Sequence, residues 1–237
     1  MTRARIGVLA SGGGSNLQAL LDYLARLGPA RAGDVVLVAS DRGSAGALAR
    51  AEGAGVATAV LSTSAGRAGE QLDDVLTRFS VDLIVLAGYL KLIPIDVTRR
   101  FVGRMVNVHP APLPAFGGTG MYGSRAHQAV LAAGVPWSGP TVHFVDEVFD
   151  HGAPIAHWPV PVLAGDDDHA LAERVLRAEH LLYPRVIQAV ASGRLRLGDD
   201  GVVTPPFFRD GDVPVFDPAL DDASLGRALD LAIEVGT

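Results

Sequence analysis

Cysteine is absent from all 237 residues, which excludes disulfides, thiolate metal sites and thiol nucleophiles together. A chain without it suits a reducing compartment, so the cytoplasm is the expected location. No apolar run approaches the roughly 18 residues that a membrane span requires. The opening MTRARIGVLASGGGS loses its apolar character after about six residues, too few for a secretory signal. Charge is sparse as well: 19% of residues are charged, the net charge is −6, and the 20 basic residues are scattered. That pattern offers no footprint for nucleic acid, so neither nucleic acid nor membrane is an expected partner, and local groups would have to hold any anionic substrate. What the chain does have is 49% apolar residues and 28 glycines, enough for one full core, or one core with a small appendage.

Strand and helix patterns alternate along it. Strand-like runs occur at 5–10, 35–40, 57–60, 82–88 and 105–109, with helical patterns at 15–27, 44–53 and 67–79 between them. Further on come a helix at 124–133, strands at 140–145 and 154–163, and a long helical pattern from His169 to Ser192 in which Pro184 predicts a kink or restart. The reading is α/β: a single doubly wound, mostly parallel sheet with helices on both faces. Residues 199–237 read as a C-terminal tail, irregular apart from a short helical pattern at 223–234. In such sheets ligands bind at the carboxyl ends of the strands, near the point where strand order reverses.

The polar, glycine-rich segments lie at those ends. SGGGSN (11–16) can turn backbone N–H groups around an anion, and Ser15 with Gln18 predicts a capping box at the helix that follows. It is not a Walker A loop, and Leu17 stands where a dinucleotide fingerprint needs its third glycine, although Asp41 ends the second strand where a ribose-binding acid could sit. In MVNVHPAPLP (105–114), Asn107 and His109 share one face of a strand while Val106 and Val108 face the core. Pro110, Pro112 and Pro114 predict that the chain leaving the strand stays clear of that face. A carboxamide beside an imidazole suits oxyanion stabilisation coupled to proton transfer. The imidazole then needs a carboxylate, and VHFVDEVFDHGAP offers Asp146, Glu147 and Asp150, among which spacing alone does not choose.

SGGGSNLQALL, LAGYLKLI, NVHPAPLP, SGPTVHFVDEVFDHGAPI and ERVLRAEHLLYP occur in that order, and together they resemble the folate-dependent formyltransferases. The resemblance covers roughly residues 5–198, taken as a catalytic domain of 1–198. It implies formyl transfer from 10-formyltetrahydrofolate to the amine of phosphoribosylglycinamide, with no metal. It makes Asn107, His109 and Asp150 the catalytic trio, with Asp150 keeping His109 protonated. It assigns Gly14, Ser15, Asn16 and Glu179 to the ribonucleotide, with Arg67 a looser match. Leu90, Lys91, Leu92, Ile93, Asn107 and the Asp146, Glu147, Val148, Phe149 and Asp150 loop fall to the folate. Other folate-dependent formyltransferases and a deformylase share the trio, and a nucleotide-binding module without chemistry is the non-enzyme alternative. A monomer or homodimer is expected.

The chain departs from the family pattern in its glycine-rich loop FGGTGMYGSRAH, which bears on the site near His127, and at Pro140, where the family often carries a small thiol or hydroxyl. His143, His151, His157, His169 and His180 show no metal-ligand spacing and read as structural.

Overall fold

The computed structural model describes residues 2–62, 67–208 and 212–233, the side chains of Arg67 and Ala68 excepted. In chain order the elements are β1 (Ala4–Leu9), α1 (Ser15–Leu27), β2 (Gly33–Ser40), α2 (Gly46–Gly53), β3 (Ala57–Val60), α3 (Arg67–Arg78), β4 (Leu83–Leu86), α4 (Ile95–Arg100) and β5 (Met105–His109). Then follow α5 (Ser124–Ala133), β6 (Trp137–Ser138), β7 (Thr141–Phe144), β8 (Pro154–His157), β9 (Val160–Pro161), α6 (Asp168–Ala191), β10 (Arg196–Leu197), β11 (Val203–Thr204) and α7 (Asp222–Ala232). The main sheet runs β3-β2-β1-β4-β5-β7-β8. Its first five strands are parallel, β7 runs against them, and β8 pairs antiparallel with β7.

Period-two burial divides the core. Ile6, Val8, Val85 and Val106 face one layer with Leu17, Leu20 and Leu24 of α1 and the buried stripe of α6. Leu9, Ile84, Leu86 and Met105 face the other with Leu72 and Leu76 of α3, Val97 of α4 and Phe101. Both faces of the sheet are therefore covered by helices, as parallel sheets require. Strand order reverses between β1 and β4, so the loops leaving these strands diverge and open a crevice at their carboxyl ends.

Three local expectations differ from the structure. The strand expected over 154–163 divides at Trp158, a fully buried ring, into β8 on the main sheet and β9 paired with β6. Pro184 does not interrupt α6, which runs unbroken over 24 residues; burial of Leu182 through Ile187 holds the turn against the missing hydrogen bond. The chain beyond 198 is no loose appendage. Phe207, Phe216, Leu225 and Leu229 are buried in the same core as α6, the Trp158 indole N–H donates to the Pro214 carbonyl at 2.7 Å, and Arg185, buried on α6, pairs with Asp230 at 2.7 Å.

Candidate active site

A cavity of about 740 Å³ occupies the crevice. Its walls come from the loop after β4, the end of β5, the 118–124 segment, the 145–150 loop and the first half of α6, with Asn16 of α1 at one end.

At the end of β5, Asn107 and His109 project into this space as the strand period demands. Asp150 meets them from the loop after β7. Its Oδ2 lies 3.3 Å from His109 Nδ1, its Oδ1 accepts from Asn107 Nδ2 at 3.4 Å, and the Gly118 N–H donates to Oδ2 at 3.0 Å. Asp150 holds a left-handed φ of 55°, a conformation that Asp tolerates better than most residues. Of the three acids left open by spacing, Asp150 alone reaches the imidazole. Asp146 binds His151 Nδ1 at 2.7 Å, and Glu147 pairs with Arg99 at 2.8 Å on the surface.

His143 is the residue that sequence reasoning left out. Register places it directly opposite Asn107 on the neighbouring antiparallel strand. Its Nδ1 donates to the Phe144 carbonyl at 2.7 Å, so Nε2 is left to accept from the Asn107 amide at 3.1 Å; the same nitrogen lies 3.7 Å from Asp150. Both hydrogens of the Asn107 amide are thus held.

The loop after β5 also differs from expectation, because it does fold over the site. The Phe116 carbonyl accepts from His109 Nε2 at 2.7 Å, and Gly117 packs so closely that a Cβ there would collide with Leu113 Cδ2 and lie 3.0 Å from Asp150 Cβ. The prolines stiffen the exit but leave room for the turn. With acceptors on both ring nitrogens, the contacts of His109 favour the imidazolium. Burial is the larger influence and pulls its pKa below the ordinary imidazole value, against the raising effects of Asp150 and the Phe116 carbonyl. Burial thus opposes the imidazolium that Asp150 is expected to support. Burial alone would raise Asp150, yet the His109 ring and the Gly118 N–H beside it hold it below the usual carboxylate range. It is an anion at neutral pH.

At the other end of the cavity, Asn16 Nδ2 donates to Glu179 Oε2 at 2.7 Å across α1 and α6. Burial pushes the Glu179 carboxyl up to about 7, with the Asn16 hydrogen bond opposing. Gly14 is the N-cap of α1 with φ 77°, and a Cβ there would come within 2.7 Å of the Ala47 backbone, so the loop needs glycine at this position. At Gly12 and Gly13 a Cβ would meet nothing within 4 Å. The capping box does not form: Ser15 begins the helix without a side-chain cap, and Gln18 turns to Asp22 at 2.9 Å. Gly14 and Ser15 lie beside the cavity rather than lining it, and Ser15 borders a groove between α1, α6 and α7. Asp41 is buried, and its carboxylate accepts from the buried Ser11 hydroxyl at 2.6 Å.

Leu90, Lys91, Leu92 and Ile93 all line the cavity, although Ile93 is largely buried in the core behind it. Asp146, Val148 and Phe149 line the facing wall and Glu147 does not. His127 and His169 reach the cavity as well. The Arg67 side chain lies outside the described residues. Among the described residues no group of three potential metal ligands forms, and no helix is long and apolar enough to cross a membrane.

The sequence profile of the formyl transferases matches residues 4–187, a span that contains every wall of this cavity. The chain belongs to the formyl transferase family. It is 42% identical over 205 residues to the chloroplastic phosphoribosylglycinamide formyltransferase of Arabidopsis thaliana, covering 84% of this chain and 70% of that one. It is also 42% identical to the trifunctional purine biosynthetic protein adenosine-3 of Bos taurus, of which it spans 19%. Among solved structures, glycinamide ribonucleotide transformylase 1 from Symbiobacterium toebii superposes with a TM-score of 0.77 at 40% identity, over 85% of this chain and 93% of that one. The family match stops at residue 187, so α7 and the strap before it lie outside it.

Proposed function

We propose that this protein transfers the formyl group of 10-formyltetrahydrofolate to the amine of phosphoribosylglycinamide, a step in purine biosynthesis. The observation that carries the reading is one cavity with two differently equipped ends: Asn107, His109 and Asp150 at the sheet, and Asn16 with Glu179 beside the start of α1. Its volume, about 740 Å³, falls within the range of small-molecule sites. The 90–93 strip and the 146–150 loop offer apolar surface and backbone groups to a flat pterin. The N-terminus of α1, with its forced glycine, suits the ribonucleotide phosphate.

The reaction follows from these placements. The amine lone pair attacks the formyl carbon, and the carbonyl electron pair moves onto oxygen. Asn107 and His109 donate to that oxygen. To do so, Asn107 gives up a hydrogen bond now held by His143 or Asp150, and His109 gives up the Phe116 carbonyl, so the segment around Phe116 shifts as substrate enters. Negative charge developing on the oxygen stabilises the imidazolium that burial disfavours, and Asp150 supports it from behind. A proton then passes from the attacking nitrogen to the departing folate nitrogen, with His109 and Asp150 as the relay. The oxyanion pair returns to re-form the carbonyl as the carbon–nitrogen bond to the folate breaks, that bond's electrons remaining on the folate nitrogen, to give the formylated ribonucleotide and tetrahydrofolate.

The test is to incubate the protein with 10-formyltetrahydrofolate, with and without phosphoribosylglycinamide, and follow tetrahydrofolate. Release that depends on the ribonucleotide is expected. Equal release without it would mean that water is the acceptor, and the proposal would fall in favour of a deformylase.

A further inference from the structure

Glu179 has a feature that sugar recognition alone leaves unexplained. Only 6% of the residue is exposed, its one hydrogen bond is from the Asn16 amide, and among the described residues no cation pairs with it. The Asn16 Oδ1 beside it is buried with no hydrogen-bond partner among the described residues. A buried carboxyl with one neutral donor, next to an orphaned carbonyl and opening onto a cavity, is poorly served as an anion. As an acid, its O–H could be donated, and the amide could turn to accept it.

Among the described residues the surroundings supply no other compensation. From α1 the Asn16 amide meets it, and on the next turn of α6 the Tyr183 hydroxyl is committed to the carbonyls of Leu86 and Val106, each at 2.9 Å. Glu173 of α6, His127 of α5 and His109 of β5 line the same cavity, yet burial and the Asn16 contact alone govern the carboxyl, which is pushed up to about 7.

We propose that Glu179 is a proton-linked reader of the ribonucleotide, holding its proton in a substantial fraction of the free protein and releasing it to solvent when the hydroxyl and amine donors of the substrate arrive. This deepens the ribonucleotide reading above and rests on it. The substrate's donors stabilise only the carboxylate, so binding and ionisation are linked. Affinity should weaken about tenfold for each pH unit below about 7 and level off above about 8, apart from the titration of the ligand itself.

The experiment is calorimetry of phosphoribosylglycinamide with the full chain in buffers of different ionisation enthalpy, at pH 6.5 and pH 8.5, for the wild type and Glu179→Gln. The ligand's phosphate and amine titrate identically against both proteins, so the difference between them isolates Glu179. At pH 6.5 proton release by the wild type should exceed that of Glu179→Gln by more than about half a proton, and at pH 8.5 the two should nearly agree. Equal proton release by both proteins at pH 6.5 would overturn the inference. Should Glu179→Gln not fold or not bind, carboxyl ¹³C NMR of the wild type decides: a titration midpoint near 7 in the free protein that falls by about one unit or more on saturation supports it, and a midpoint near 4 refutes it. If the wild type does not bind the ribonucleotide at all, the functional proposal is at fault, an outcome distinct from binding without linked protons.

Discussion

Replacing Asp150 with Asn isolates the carboxylate at the centre of the site. Asn tolerates the left-handed backbone at this position, so strain adds little to the result. The carboxylate now accepts from the Gly118 N–H at 3.0 Å and from Asn107 Nδ2 at 3.4 Å, and His109 Nδ1 lies 3.3 Å away. An amide has one acceptor oxygen, so its NH₂ must face either the Gly118 and His109 side or the Asn107 side. At least one donor to a charged acceptor is lost, at about 1.5–3 kcal/mol, or roughly a factor of 10 to 10² in rate if the contact matters in the transition state. The charge that supports the imidazolium disappears as well, so the His109 pKa, already below its ordinary value, should fall further. The expected outcome is a turnover about 10²-fold lower or worse, with both KM values within a few-fold. The assay is turnover against pH for wild type, Asp150→Asn, His109→Ala and the double variant, with folding checked by circular dichroism. Because the two residues act as a unit, the double variant should be little worse than the worse single one. Glu147→Gln serves as a control, since its exposed pair with Arg99 is screened by solvent and lies outside the cavity. A near-normal rate for Asp150→Asn, or losses that multiply in the double variant, would refute the partnership.

Two further outcomes are expected. Gly14→Ala forces a side chain at φ 77° against Ala47 and should weaken the ribonucleotide far more than the folate, whereas Gly13→Ala, with nothing within 4 Å of its Cβ, should fold normally and change folate affinity little; calorimetry with each ligand separates these from a general loss. Truncation after residue 198 uncovers the core that Phe207, Phe216, Leu225 and Leu229 complete. At about 1.5–3 kcal/mol for each large side chain the loss rivals the whole net stability of a domain, so thermal unfolding should show a greatly lowered or absent transition; a truncated protein melting within about 3 °C of the full chain would show that the strap and α7 are dispensable.

Much of the site was readable because its chemistry sits at strand ends in sequence order. Asn107 and His109 needed only the two-residue period of one strand, and the reversal of strand order put the loops after β1 and β4 on one crevice. Contacts between distant segments were not readable. His143 joins the cluster through its register opposite Asn107, which an isolated strand pattern cannot convey. The Phe116 carbonyl is a backbone group that any residue there would supply. The capping box failed because Gly14, free to take a positive φ, starts α1 one residue earlier than the Ser15 hydroxyl could. The strap after 198 looked irregular because its buried Phe207 and Phe216 follow no period; they fill gaps left by α6 and Trp158 rather than building an element of their own.

The most direct test of the central claim, direct transfer between two small molecules in one cavity, is a single-turnover reaction with 10-formyltetrahydrofolate carrying ¹³C in the formyl group. The label should appear on the ribonucleotide amine at the same rate as tetrahydrofolate forms, with none retained on the protein and none in formate. Label held on the protein, or formate formed at the rate of tetrahydrofolate, would contradict it.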